Sequence, residues 1–494
     1  MTRCYPSPVK VKPTVETQTN KSKPTQTKGI KTLLGEPKKA VITLAVPMII
    51  AMSANTIYNL IDALWVSGLG ADFFSTTEVS NIGTGALAAV GFVMPFFMMI
   101  ISISTGIGIG GGSAISRKIG ADDKKGADNV AIHSIIITII IAIIFTTILF
   151  AFADTLLISI GATETANMAI SYGRIIFAGS IFLFFSNVAY AILRAEGDAN
   201  RAMYAIMFGA GLNIILDPIF IFTLGYGVAG AAYATVLSMA ISSSILIYWL
   251  FLRKNTYVSF VFKDFKFKKN IIKDIFKVGW PASVQQLSMS ITMIIIIVII
   301  NISGGGEDGV AIYNTGWRLV MIAILPLLGM ATAVTSVTGA AFGAKSYDKL
   351  NTAYMYATKT GFYIEIILAA AIFILAPFIA VIFTTSPGAF RIQDDLEMFL
   401  KITCLFYPGS AFGIASSAMF QGTGKGTYAL IATLLRTIVL TVILALISTY
   451  IFNAGITGIW WSLVIANLVG SVISFSWGKL YVNNLQKFGL SSDG

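Results

Sequence analysis

IIITIIIAIIFTTILF, at residues 135–150, contains no charged side chain and lies within an uncharged segment that covers 129–152. A helix needs about 20 mostly apolar residues to cross the hydrocarbon core of a bilayer. Similar stretches recur along the whole chain. They are expected at 40–67, 84–110, 129–152, 166–192, 202–224, 228–252, 275–301, 309–337, 352–383, 397–420, 427–451 and 456–478. The sequence therefore predicts an all-α polytopic membrane protein with twelve transmembrane helices.

The composition supports a bilayer as the solvent. Of the 494 residues, 12% are charged and 56% hydrophobic, whereas soluble proteins contain about 25% charged residues. The mean hydropathy is +0.81. Cys4 and Cys404 form no disulfide framework or metal-ligand spacing, and His133 is the single histidine. Zinc and heme chemistry are excluded by these counts, and no cofactor is expected.

The net charge of +11 would suit a nucleic-acid binder, but the placement of the positive residues argues against that class. Of the 34 Lys and Arg residues, 28 lie in the tails, the central linker and alternate short loops. The opposite set of loops contains Arg391 alone. Loops rich in Lys and Arg stay in the cytoplasm. We therefore expect a multi-pass protein of the cell membrane, with both termini cytoplasmic and no nucleic-acid partner.

Five segments follow from this map. Residues 1–39 are rich in Lys, Thr, Ser and Pro without an apolar core, so they are interpreted as a disordered basic cytoplasmic tail and not a signal peptide. The N-lobe, spans one to six, covers 40–252. A basic cytoplasmic linker covers 253–274, the C-lobe with spans seven to twelve covers 275–480, and a second cytoplasmic tail covers 481–494.

The second half of the chain repeats the first. Gly-Val-Ala-Gly at 227–230 matches Gly-Ile-Thr-Gly at 455–458, and Ile-Gly-Ala at 119–121 matches Phe-Gly-Ala at 342–344. Six spans return the chain to its starting side, so the two lobes are related by a pseudo-two-fold axis along the membrane normal. Such a duplication is typical of transporters and places the substrate path between the lobes, near the midplane.

The two repeats differ at two acidic positions. Asp62 lies inside span one, and the matching position of span seven, counted from Pro47 and Pro281, is Ile296. Asp217 lies inside span five and corresponds to Leu444. A charged carboxylate at the bilayer centre costs about 2.5–3.5 kcal/mol on insertion scales and normally serves ions or protons. No Arg or Lys lies near either aspartate in its own span, so a functional pair is predicted.

The neighbours of Asp62 are polar. On a helix of 3.6 residues per turn, Asn55 and Asn59 lie on the same stripe as Asp62, and Tyr58 is one turn before it. In span five, Asn213 and Asp217 share a face.

Pro218 follows Asp217 directly and leaves the carbonyl of Ile214 without its helical partner. Oxygen atoms of these kinds are the ligands that a small cation prefers, and the same carboxylates can take a proton instead. The residues leave both readings open.

Three of these stretches resemble a known family. Ile-Tyr-Asn-Leu-Ile-Asp at 57–62, Leu-Arg-Ala-Glu-Gly-Asp at 193–198 and Leu-Asn-Ile-Ile-Leu-Asp-Pro at 212–218 are similar to the multidrug and toxic compound extrusion (MATE) family. The closest branch is the prokaryotic one named for DNA-damage-inducible protein F. The resemblance covers about 40–480 and implies the two-lobed MATE fold, with efflux of drugs driven by Na⁺ or H⁺.

The resemblance also implies roles for single residues. The N-lobe cation site of that branch matches Asp62, Asn213, Asp217 and Thr235, which implies Na⁺ or H⁺ bound there.

Further residues are implied around this site. Pro47 matches the proline at which the first helix of the family is proposed to bend. Tyr172 and Asn187 resemble polar residues near the cation site. Another branch uses acids in its C-lobe, where this chain offers Glu365 and Arg436. We interpret both as structural, with Glu365 close to the cytoplasmic end of span nine.

Two glycine-rich motifs have a packing interpretation. Gly106–Gly112 ends a membrane span and not a β-strand, so it lacks the context of a dinucleotide-binding loop and is expected to support close helix packing. Gly422–Thr427 lacks the Gly-Lys-Ser/Thr of a phosphate-binding loop. Without an ATPase motif, transport is expected to depend on an ion gradient.

The sequence therefore predicts a monomeric secondary antiporter, and no enzyme, that exports cationic or amphiphilic organic compounds in exchange for Na⁺ or H⁺. Its other expected partners are membrane lipids. The alternative is a lipid-linked saccharide flippase of the same superfamily. Flippases of that kind hold diphosphates in cationic cavities, whereas the cavity expected here is acidic. An intramembrane protease built on the two aspartates is disfavoured, because the short motifs of such enzymes are missing and the repeat would have no role.

Overall fold

A computed structural model describes residues 27–69, 82–160, 162, 165–253, 255–261, 265–384 and 390–492. Twelve helices in these ranges are long and apolar enough to cross a membrane, which confirms the predicted number. The helices are α1 (Lys28–Leu34), α2 (Pro37–Val66), α3 (Thr84–Gly120), α4 (Lys124–Ala151), α5 (Ala153–Ser159), α6 (Ala166–Ala195), α7 (Ala199–Thr223), α8 (Val228–Leu252), α9 (Lys269–Ile302), α10 (Gly306–Gly343), α11 (Tyr347–Phe383), α12 (Phe390–Gly422), α13 (Gly426–Tyr450) and α14 (Gly455–Ser492).

Both predicted tails are partly helical. Residues 1–26 lie outside the described residues, but α1 begins at Lys28 and α2 at Pro37, so the expectation of disorder to residue 39 is wrong there. Thr27 caps α1 by accepting a hydrogen bond from the N–H of Ile30, and Pro37 suits a first helical position because its φ is already fixed. At the other end, α14 continues to Ser492, past the predicted span boundary at 478 and into the expected tail.

The helices form two lobes, α2–α8 and α9–α14. In the first lobe α6 packs against α3, α4 and α8, while α7 packs against α2 and α8. We call the end of the bundle that carries α1 and the turns 121–123, 196–198, 344–346 and 423–425 the basic end, and the other the opposite end. The lobes meet where α3 contacts α9 and α10 and where α2 contacts α10.

Helix α3 approaches two neighbours closely through its glycines. A Cβ at Gly106 would lie 2.6 Å from the carbonyl oxygen of Gly279, and one at Gly110 would lie 2.3 Å from that of Ile275, both on α9. On another face of α3, a Cβ at Gly108 would lie 3.2 Å from the carbonyl oxygen of Asn187 on α6. Side chains at these positions would keep the backbones apart. The predicted packing role of Gly106–Gly112 is confirmed, and the helix continues beyond the motif to Gly120.

A reciprocal glycine contact joins α3 and α10 at the basic end. A Cβ on Gly120 would lie 1.8 Å from the carbonyl oxygen of Ala340, and one on Gly343 would lie 1.9 Å from that of Arg117. Gly120 and Gly343 are equivalent positions of the two repeats, as are Arg117 and Ala340. Equivalent residues that contact each other in this reciprocal way lie beside a two-fold axis, which is the relation that the repeat predicts.

Polar bonds reinforce the contact between the lobes at this end. Arg117 forms a 2.8 Å ion pair with Asp274 of α9, and Ser113 donates to the carbonyl oxygens of Gln421 and Gly422 in α12. The Lys349 ammonium donates to the carbonyl of Leu34 at 3.1 Å, which ties α1 to the second lobe. The lobes are therefore held together along the basic half of the molecule.

Glu196 fastens the linker to the first lobe. Its Oε2 accepts hydrogen bonds from the N–H groups of Tyr257 at 2.9 Å and Val258 at 3.1 Å. The carboxyl is buried, and this burial raises its pKa to about 8 despite the two donors. Beside it, the backbone of Gly197 lies against that of Gly29, since a Cβ on Gly197 would be 2.3 Å from the Gly29 carbonyl oxygen. One turn thus holds both the linker and α1.

The glycine contact predicts that Gly120→Ala or Gly343→Ala will separate the lobes at the basic end. The added methyl group meets a carbonyl oxygen of the partner helix, and overpacking of this kind costs about 1–3 kcal/mol. Spin labels at Lys125 and Asp348, in a background with both cysteines replaced by serine, should report a longer distance in either variant than in the unsubstituted protein.

Gly211→Ala is the matched control, because a Cβ there has no neighbour within 4 Å. An unchanged distance between the labels in both Gly120→Ala and Gly343→Ala would show that the reciprocal contact does not set the spacing of the lobes.

Candidate functional site

Three helices of the first lobe bring the predicted site residues together. Asp62 is carried by α2, Asn213 and Asp217 by α7, and Thr235 by α8. Because α7 packs between α2 and α8, these side chains converge inside the lobe. Asp217 is fully buried, Asn213 is 2% exposed and Thr235 is 5% exposed. Their convergence agrees with the site predicted from the sequence.

Asp62 and Asp217 lie close enough for each carboxyl group to act on the other electrostatically. The amide nitrogen of Asn213 donates to the hydroxyl of Thr235 at 3.3 Å. Tyr58, one turn before Asp62 on α2, lies near both aspartates. The site is therefore a compact group of oxygen-bearing side chains.

This group has too few hydrogen-bond donors. Asp62 Oδ1, both carboxyl oxygens of Asp217 and Asn213 Oδ1 are buried without a hydrogen-bond partner among the described residues. Within that same part of the chain, neither aspartate forms an ion pair with Lys or Arg. Two ionised carboxylates can only accept, so their contact becomes a hydrogen bond only when one carries a proton. A proton or a small cation would supply what the site lacks.

A local irregularity of α7 follows Asp217. Pro218 has no N–H, and the next turn, Ile219–Thr223, is π-helical. The N–H of Leu224 bonds to the carbonyl of Ile219 at 2.8 Å, five residues back. Single π-helical turns inside α-helices are frequent at functional sites. The wider turn begins directly after the buried carboxylate.

The other predicted residues do not all lie beside the two aspartates. Tyr172 is half-buried on α6 and lies near Asp62 and Asp217. Asn187 instead donates to the hydroxyl of Ser104 on α3 at 2.8 Å. Sequence reasoning missed Ser104, since a serine inside a span has no distinguishing signal.

Asn55 and Asn59 lie on the exposed face of α2, and in the described part of the chain neither bonds to the aspartates. Pro47 is buried inside α2, which continues through it. Its missing N–H leaves one carbonyl of the preceding turn without a helical partner. The helix that carries Asp62 is thus weakened four turns away from it.

The second lobe does not copy the site. Ile296 is fully buried in its apolar core, and Leu444 is also aliphatic. Glu365 is 0% exposed and lies at the middle of α11, so the expected position near the end of span nine is wrong. The helix begins at Tyr347, before the predicted span, and ends at Phe383, which places Glu365 halfway along it. Arg436 is buried in a π-helical turn and donates to Asn467 Oδ1 at 3.2 Å. Their structural interpretation stays a prediction.

Comparison with known proteins agrees with this architecture. The family model MatE matches residues 71–219 and 281–447. The chain is 27% identical over 433 residues to the multidrug export protein MepA of Staphylococcus haemolyticus (strain JCSC1435), covering 87% of this chain and 91% of that protein.

Solved structures are also similar. One, described as showing that "reverse polarity of binding pocket suggests different function of a MOP superfamily transporter" from Pyrococcus furiosus Vc1, is 47% identical with a TM-score of 0.88, and the match covers 93% of this chain and 99% of that one. Another, described as MATE in the bent conformation, is 46% identical with a TM-score of 0.87, covering 94% and 100%.

Twelve spans in two repeated lobes, with a polar site inside one of them, define a polytopic membrane transporter. The chain belongs to the MATE family.

The missing donors predict that Asp217→Asn will stabilise the protein in sodium-free buffer at pH 8.5. The substitution replaces the Asp217 carboxylate, whose oxygens have no hydrogen-bond donor, by a neutral amide that can donate to Asp62. A buried polar group without a hydrogen-bond partner costs about 1–3 kcal/mol. Thermal unfolding in detergent should therefore show a higher midpoint for the variant. Asp308→Asn, at an exposed ion pair with Arg391, should change the midpoint little. A lower midpoint for Asp217→Asn would mean that the carboxylate is already satisfied.

Proposed function

We propose that the protein is a secondary antiporter that exports cationic or amphiphilic organic compounds in exchange for Na⁺ or H⁺. The observation that supports it is the pair of neighbouring carboxyl groups, Asp62 and Asp217, of which three oxygens are buried without a hydrogen-bond partner among the described residues, where neither group has a Lys or Arg counter-ion. The export of drugs by the relative named MepA agrees with the class of cargo.

The orientation follows from the charges. Loops rich in Lys and Arg stay in the cytoplasm, so the basic end faces the cytoplasm and both termini are cytoplasmic. The contacts between Gly120 and Ala340 and between Arg117 and Asp274 then close the cytoplasmic side. In this arrangement the path between the lobes opens outward, which is the state that releases cargo and receives the driving ion.

Asp62, Asn213, Asp217 and Thr235 form the coupling site in this proposal. The four supply carboxylate, amide and hydroxyl oxygens, which are hard ligands suited to Na⁺, and either carboxylate can take H⁺ instead. Tyr58 and Tyr172 complete the wall of the cavity. A cation placed between the carboxyl groups removes the repulsion between them.

Helix α2 connects the site to a conformational change. It carries Asp62 in the site and Pro47 where its hydrogen-bond ladder is interrupted. A helix weakened at Pro47 has two arrangements that differ by a few kcal/mol, and the bound ion selects between them through its different affinity for each. We propose that ion binding favours a bent α2, which narrows the cavity of the first lobe and expels the cargo. A relative in a conformation described as bent supports the availability of a second state.

The carboxyl pair predicts that Asp62→Asn and Asp217→Asn each abolish coupled efflux while the protein still folds. Liposomes loaded with an organic cation should show flux in response to an imposed Na⁺ or H⁺ gradient, each tested separately, only with the unsubstituted protein. Adding Ile296→Asp or Leu444→Asp to these variants should not restore flux, because the second lobe lacks the partners of the site. Flux at the unsubstituted rate in either aspartate variant would remove the pair from the mechanism.

The position of Pro47 predicts a second effect. Driving ion and cargo should weaken each other's binding by one common factor, of order 5- to 150-fold for a coupling of about 1–3 kcal/mol. Pro47→Ala restores the helical N–H and should reduce this antagonism more than it reduces affinity for cargo. Cargo affinity measured at zero and at saturating ion, in both proteins, gives the factor. Undiminished antagonism in Pro47→Ala would indicate direct competition within the cavity and no bending step.

A further inference from the structure

A groove of about 720 Å³ lies on the outside of the first lobe, between α4, α6 and α8. Along α6 the groove extends from Asn167, in the first turn of the helix, to Phe182. These residues are 15 positions apart, which corresponds to about 22 Å along the helix. The hydrocarbon layer of one leaflet is about 15 Å thick, half of the hydrocarbon core of the bilayer. The groove therefore extends from the membrane surface at the opposite end to beyond the depth of one leaflet.

The groove faces away from the ion site. Arg174 and Tyr172 are two residues apart on α6, and Tyr233 and Thr235 are two residues apart on α8. Two positions correspond to about 200° around a helix, so the groove and the ion site use opposite faces of the same two helices. Arg174 and Tyr233 are exposed. Since both helices span the membrane, what contacts this outer face is lipid.

The polarity of the groove changes along its length. Near the opposite end it carries the polar side chains of Asn167, Ser171 and Arg174, together with Tyr233 from the second turn of α8 and the apolar Phe150 and Ile170. Toward the middle of the membrane the lining becomes apolar and includes small residues. That deeper part consists of Ile175, Ala178, Gly179, Phe182 and Val236.

Arg174 supplies a charge at the mouth. It forms a 2.9 Å ion pair with Asp154 of α5, and both side chains are about half exposed, at 49% and 48%. This single bond to a carboxylate oxygen uses one of its five N–H donors. A guanidinium group can bind a phosphate through two parallel hydrogen bonds, and Ser171 and Asn167 lie one and two turns closer to the membrane surface.

We propose that this groove is a binding site for one phospholipid, with an acyl chain between α6 and α8 and the phosphate at Arg174. The polar mouth at the surface and the apolar depth match the order of headgroup and chain in a leaflet. A charged side chain at the membrane boundary suits an anionic headgroup. The site is independent of the ion that drives transport and of the cargo.

The lipid site can be tested on the full-length protein by native mass spectrometry. The protein is delipidated and then titrated with phosphatidylglycerol or with diacylglycerol of the same acyl chains. We expect one tightly retained phosphatidylglycerol and no equivalent retention of diacylglycerol. Arg174→Gln should weaken retention about tenfold or more, because a charge-assisted hydrogen bond to the phosphate is lost. Asp154→Asn should strengthen it, because Arg174 is released from its ion pair.

Two controls match these substitutions. Arg391 and Asp308 form an exposed ion pair of similar length, 2.7 Å, on the second lobe, and Arg391→Gln should leave retention unchanged. To test the apolar part, Ala178→Phe fills the floor of the groove and should prevent retention. Ile215→Phe adds an aromatic ring at a position that is 61% exposed and should have no effect.

Three results would overturn the proposal. Equal retention of diacylglycerol would show that the phosphate is not recognised. Unchanged retention of phosphatidylglycerol in both Arg174→Gln and Ala178→Phe would place any bound lipid elsewhere. Displacement of the lipid by an organic cation such as rhodamine, with loss of that competition in Ala178→Phe, would identify the groove as a site for cargo.

Discussion

The reciprocal contact between α3 and α10 sets the geometry on which the rest of the molecule depends. Gly120 and Gly343 each place a backbone where a Cβ would meet a carbonyl oxygen of the partner helix. Further along α3, Gly106 and Gly110 let α9 approach equally closely. Without an aqueous hydrophobic effect between spans, association depends on this kind of close backbone packing. The interface is consequently concentrated in the basic half of the molecule.

The same helix also positions the site. The face of α3 that carries Gly108 packs on α6, and α6 carries Tyr172 beside the two aspartates. Helix α3 therefore contacts both the second lobe and the helix that carries Tyr172. Helix α2 carries Asp62 and also packs against α10. A change in its shape would therefore alter the surroundings of Asp62 and the contact between the lobes together. In the mechanism that we propose, this sharing couples an ion in one lobe to the contact between the two lobes.

Helix α6 separates two environments. Its inner face presents Tyr172 to a buried polar site, and its outer face presents Arg174 to the membrane. A buried charge needs a partner or a proton, whereas a charge at the membrane boundary is stabilised by solvent, by Asp154 and by headgroups. The carboxylates inside therefore remain sensitive to what binds, while the ion pair outside can persist in either state.

The sequence by itself determined the class of fold and the composition of the site. Twelve apolar stretches, an internal repeat and two aspartates whose equivalents in the second half are aliphatic were readable because hydropathy, helical period and repeat spacing are local properties of the chain. Distances across the fold were not readable in this way. Only the tertiary structure decided that Asn187 bonds to Ser104, that Gly120 meets α10, that Glu365 lies at mid-helix and that Arg174 borders a groove. The physical reason is that these facts depend on which helix faces pack together, and residues far apart in sequence set that packing jointly.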